Sequence, residues 1–127
     1  MPKNPLIFAA TAILLLSIAG AAHAHHATAS YDMTSTATLK GTVSGYDWTN
    51  PHVYIYVDVK DGKGAVEKWS VEMASVGMLA RAGWRRDTVK AGDEITVVGN
   101  RAKDGKPLLH LNKLTFANGQ EMTQNAQ

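Results

Sequence analysis

An all-β fold is what the sequence predicts for residues 38–118: five short antiparallel strands closing into a barrel, with one short helix between the third and fourth. Three observations carry that prediction. Segments of alternating apolar and polar residues recur along the chain, as half-buried strands require. Between them stand clusters of Gly, Asp, Lys and Pro, which turn a chain. One stretch only, Ser75 to Ala82, departs into helical spacing. Three strands, a short helix and two strands is the element order of an OB-type barrel. A five-stranded sheet packed on one helix would give the same string, and the short loops favour closure.

The first strand is "TLKGTVSGYDW", Thr38 to Trp48, whose glycines at 41 and 45 suit a bent or bulged strand. "TNP" then turns the chain, since Pro51 fixes its own φ and Asn50 bonds locally. "HVYIYVDV", His52 to Val59, sets Val53, Ile55, Val57 and Val59 on one face and His52, Tyr54, Tyr56 and Asp58 on the other. "KDGKG" is a hairpin loop, after which "AVEKWSVEM" returns with Trp69, Val71 and Met73 inward. In "SVGMLARAGW", Ser75 caps a short helix and Gly83 ends it. Strands at Ile95–Val98 and Leu108–Phe116 follow, joined through "KDGKP". Residues 119–127 read as a flexible tail.

Ahead of the barrel lie two further segments. Residues 1–24 have the order of a cleaved signal peptide: Lys3, an apolar run from Leu6 to Gly20, then small residues ending in Ala22-His23-Ala24. That run covers 15 residues, short of the ~20 a spanning helix needs. The expectation is an exported, periplasmic protein with no membrane span after processing. Cleavage after Ala24 leaves 103 residues, enough for one core. Residues 25–37 form an extended, Ser/Thr/Ala-rich lead. With no cysteine, disulfides, thiolate metal sites and thiol catalysis are excluded. The processed chain carries 12 basic and 11 acidic residues, and this near-neutral balance, with export, sets nucleic acid aside as a partner.

"AHAHH" at the signal junction, "WTNPHVYIYVDVKD" from Trp48, "GWRRDTVKAGDEITVVG" from Gly83 and "RAKDG" from Arg101 resemble a family of small exported bacterial proteins of unknown function. The Trp-x-Asn-Pro-His element at Trp48 to His52 is the most specific part. The family's usual opening is similar to Ala-His-His-Ser-Phe, whereas this chain has Ala24-His25-His26-Ala27-Thr28. The resemblance implies export and a small β-barrel; it implies no activity.

Candidate chemistry begins at the processed terminus. Cleavage after Ala24 frees an α-amine on His25, and an amine and imidazole on one residue chelate a single ion. Nitrogen-rich tetragonal sets of this kind favour Cu(II) over Zn(II). The candidate copper ligands are His25, through amine and ring, then His26, then His52, held behind Pro51. Cleavage after Ala22 would instead place His25 third, which also binds Cu(II). The plain alternative is that these histidines fill a peptidase site. His110, by its parity with Leu108 and Leu114, reads as a partly buried, satisfied histidine. Trp48, Tyr54 and Tyr56 form a candidate face for a small organic ligand or an envelope protein partner. A structural accessory subunit of an envelope complex is the remaining reading. Arg85 and Arg86 read as solvated, with Asp87 a local partner. No Ser-His-acid set, HExxH or interpretable carboxylate pair is present, so a non-enzymatic protein is expected.

Overall fold

The computed structural model describes residues 28–125. Thr28 and Ala29 are helical. The barrel unit starts at Tyr31. The signal-peptide reading and the candidate ligands His25 and His26 fall outside the described residues. No described helix is long and apolar enough to cross a membrane.

Strands β1 (Ala37–Asp47), β2 (Tyr54–Lys60) and β3 (Val66–Glu72) are followed by helix α1 (Val76–Arg81), then β4 (Glu94–Arg101), β5 (Leu108–Phe116) and β6 (Glu121–Thr123). The sheet order is β3-β2-β1-β4-β5-β6, and a further β3–β5 pairing closes the first five strands into a barrel. Four of its pairings are antiparallel and the closing one is parallel. The expectation of an all-antiparallel closure is refined here for a geometric reason. An odd ring of strands that alternate in direction must leave one neighbouring pair running the same way.

Inward positions follow the alternation of the sequence. Val53, Ile55, Val57, Trp69, Val71 and Met73 are all buried, joined by Val97, Leu109, Leu111 and Leu114 from the second half. Each such side chain contributes roughly 1.5–3 kcal/mol on leaving water. In β1 the register slips between Val43 and Gly45, so Val43 pairs with Val57 whereas Tyr46 pairs with Ile55. This bulge lets Val43 and Tyr46 both turn inward although they are three residues apart. Gly99 is required by closeness, because a Cβ there would overlap the His110 carbonyl oxygen of the adjacent strand.

Helix α1 is short because its signals are close together. The Ser75 side chain accepts from Met78 N–H at its start, and Gly83 at φ +93° follows its end. Leu79 is its buried anchor, with Trp84 just beyond also fully enclosed. Asn50 reaches from the β1–β2 turn to accept from Val76 N–H at 3.0 Å.

Residues 119–127 were expected as a flexible tail, and over the described part, 119–125, the structure corrects this. Glu121–Thr123 pair with β5 as β6. Trp84 Nε1 donates to Thr123 O at 2.7 Å. The Gln124 side-chain amide accepts from Ala74 N–H and donates to Leu111 O. The β3–β5 ladder ends at Glu72 and His110, and just past that point the Gln124 amide bridges β5 and the segment that follows β3.

Candidate functional site

Glu72, the last residue of β3, lies opposite Tyr54 of β2 and opposite His110 of β5. Registered residues share a face of the sheet. Since Val71 points into the core, Tyr54, Glu72 and His110 form a row on the outside of the barrel. The Glu72 side chain is nonetheless only 12% exposed, because other residues close over it.

Tyr31 is one of them. It is 1% exposed, donates its hydroxyl to Glu72 Oε2, and tilts its ring against His110 with centroids 5.3 Å apart. The sequence places Tyr31 in an extended polar lead, and the structure corrects that: it forms a bridge with Ala102. A buried asparagine holds it there. Asn100 donates to the carbonyls of Asp32 at 2.9 Å and Ser35 at 2.6 Å, while its own oxygen accepts from Asn112. Every polar group of Asn100 is thereby engaged, which is what burial of an amide demands.

His52 completes the group just ahead of β2. Its Nδ1 lies 3.1 Å from Met73 O and 3.5 Å from Glu72 Oε1. Both neighbours are acceptors, so in the neutral ring Nδ1 carries the proton and Nε2 presents a lone pair. Among the described residues Nε2 makes no hydrogen bond.

Enclosure alters the titration of the surrounding groups. Burial raises the Tyr31 hydroxyl well above its ordinary range, reinforced by the hydrogen bond and charge of Glu72. Tyr54 is pushed up to about 12 by burial first and by the Glu72 charge second. Both phenols therefore stay protonated at neutral pH. His110 is lowered from its ordinary 6.5, chiefly by burial and also by His52, against the opposing pull of Glu72. Its Nδ1 is shut from solvent with no hydrogen-bond partner among the described residues, so His110 is not the satisfied histidine its parity suggested.

The lowered His110 value sets a pH dependence. Below the ordinary histidine value the unfolded chain binds a proton that the folded chain resists, so this contribution to stability is complete above 6.5 and declines on acidification. Urea midpoints followed from about pH 7.5 to about pH 5 should fall in the wild type. The fall should be smaller in His110→Phe.

The candidate aromatic face divides. Tyr54 and Tyr56 lie together, with rings within 11° of parallel and centroids 6.4 Å apart, and Tyr56 is 40% exposed. Trp48 instead packs in the core at 9% exposure, against Tyr46 at 5.8 Å. The bulge in β1 explains the difference, since Tyr46 beyond it faces the inward Ile55 and Trp48 follows Tyr46. Of the candidate metal ligands only His52 is described, and no three His, Asp or Glu among the described residues are grouped to hold a metal. Arg85 is committed to capping α1, donating to Ala80 O at 2.9 Å and Trp84 O at 2.7 Å rather than to Asp87.

Sequence reasoning missed Glu72, Tyr31 and Asn100. Glu72 stands on the outer parity of its strand, where a carboxylate ordinarily meets water. Tyr31 offered one weak signal, a large aromatic within a lead of small residues.

The backbone is similar to that of the mitochondrial single-stranded DNA binding protein Rim1 from S. cerevisiae. Two crystal forms match with TM-scores of 0.51 and 0.50 at 9% and 10% identity, over 65% of this chain and 92% and 93% of theirs. That likeness shows the OB fold. It also corrects the exclusion of nucleic acid, since proteins of this fold bind single-stranded DNA and a near-neutral net charge says little about one face of a barrel. No curated protein matches the chain significantly. The family of unknown function DUF6152 matches residues 12–109, most of the chain, and it is to this family that the protein belongs.

Proposed function

We propose that this protein is an exported binding module that takes its ligand on the outer face of β2 and β3, at the Glu72 end. The supporting observation is the convergence of Tyr54, Glu72, His110, Tyr31 and His52 on the face that OB barrels use for ligands. Tyr54 and Tyr56 supply a ring platform, and Glu72 and the imidazoles supply polar contacts that orient what stacks there. Export rests on the order of residues 1–24. The test follows the tyrosine ring resonances during titration with n-butylammonium, a short oligosaccharide and a short oligothymidylate. At least one probe should move Tyr54 and Tyr56, and Tyr56→Ala should weaken it by roughly tenfold, the scale of one lost ring stack. Tyrosine signals unmoved by every probe would overturn the reading.

A second reading, copper binding, is favoured by the state of His52. Imidazoles that ligate a metal characteristically donate their other N–H to a carbonyl or carboxylate, which orients the ring and raises its basicity. Met73 O and Glu72 stand in that relation to His52 Nδ1. The terminal amine and ring of His25, with His26, supply a chelate of their own on this reading.

A further inference from the structure

We infer that the Glu72 end of this face recognises a primary ammonium group. The inference rests on the reading of the face as a binding surface and adds the class of ligand. Its ground is an imbalance of chemistry around Glu72. A carboxylate accepts hydrogen bonds and cannot donate them, and a buried one needs a positive partner. Among the described residues no lysine or arginine forms an ion pair with Glu72; its only ionisable basic neighbour within bridging distance is His52. Beside it His110 Nδ1 is enclosed and unpartnered. In the neutral ring bearing its proton on Nε2, that nitrogen is a bare acceptor. Tyr31 supplies Glu72 with one hydrogen bond, so what the row lacks is a fixed positive charge for the carboxylate and a donor for His110 Nδ1.

The surrounding rings point the same way. Tyr54 flanks Glu72 on one side and His110 on the other, with Tyr31 tilted over His110 and Tyr56 parallel to Tyr54. Aromatic faces attract cations, and together with a carboxylate they form the surroundings in which organic ammonium groups are held. A metal ion would want three or more ligating side chains about one point, which the described residues do not provide. A quaternary ammonium would satisfy the rings and the charge, yet it has no N–H for His110. A primary ammonium brings one charge and three donors. Free amines and lysine side chains share this chemistry.

The experiment uses the processed chain from His25, treated with EDTA so that no metal competes. The ring resonances of His110, Tyr54 and Tyr56 are followed during titration with n-butylammonium, with tetramethylammonium, and with an N-acetylated, C-amidated Gly-Lys-Gly peptide. Butylammonium should shift His110 and Tyr54 saturably, and tetramethylammonium should bind at least about tenfold more weakly for want of donors. Response to the peptide as well would identify lysine side chains as ligands, and response to butylammonium alone would identify free amines. Glu72→Gln, which keeps the shape and removes the charge, should lower butylammonium affinity at least about tenfold. Should that variant lose its fold, His110→Phe takes its place and should erase the preference for butylammonium over tetramethylammonium. Equal affinity for the two cations, or butylammonium binding unchanged in Glu72→Gln, would overturn the inference. A silent butylammonium titration alongside tyrosine shifts from the oligosaccharide or oligothymidylate would overturn the ammonium assignment alone and leave the binding face standing.

Discussion

Val57→Asp is expected to leave the barrel unfolded at about 25 °C, since the loss approaches the whole stability of a small domain. Val57 is 1% exposed and sits between Val43 of β1 and Trp69 of β3, registered to both. The wall is tight as well: a Cβ on Gly41 would come within 2.8 Å of Val57 Cγ1. A carboxylate placed there finds no donor and no water, a penalty of several kcal/mol beyond the lost packing. Total stabilities of such domains are only about 5–15 kcal/mol. The neighbouring residue supplies the control. Asp58 points outward to an exposed pair with Lys68 at 3.1 Å, so Asp58→Ala should cost under about 1 kcal/mol. Near-ultraviolet circular dichroism and thermal melts read both variants. A Val57→Asp protein that melts like wild type would mean that β2 does not present this residue to the core.

The second large effect concerns the terminus. Adding one residue ahead of His25 should lower Cu(II) affinity by at least about 100-fold on the copper reading, because the ring loses its chelating amine while every imidazole remains. Stability should not change, since the barrel unit begins at Tyr31. His52→Ala should produce a smaller loss, that of one imidazole. Isothermal titration of the native, extended and His52→Ala proteins separates the cases. Equal affinity in the native and extended proteins would remove the amine from the ligand set and leave the β2–β3 face as the functional account.

Much of the barrel is written in the sequence at the level of period and punctuation. The alternation at Val53–Val59, the cap at Ser75, the glycine after α1 and the bulge near Gly45 are local signals, and the structure realises each of them. The polar cluster is legible only in part. Tyr54, Tyr56 and His52 stand out because aromatic and imidazole side chains on an outer strand face call for a reason. Glu72 does not stand out: its enclosure depends on Tyr31, which lies 41 residues away, and on the parallel pairing that sets His110 beside it. Both are consequences of closure, and no window of sequence contains them. Trp48 fails for a related reason, since the bulge that turns it inward shows its effect on parity only once β2 is in place.

The amide of Gln124 bears on the order in which this molecule can be made. It joins Ala74, 50 residues earlier, to Leu111, and so finishes the closing seam from a position just after β6. A chain emerging N-terminus first therefore has all six described strands before it has the group that locks them. Contacts so distant in sequence form late, because the loop they close must be drawn together first. The barrel is thus locked by a residue that follows all of its strands.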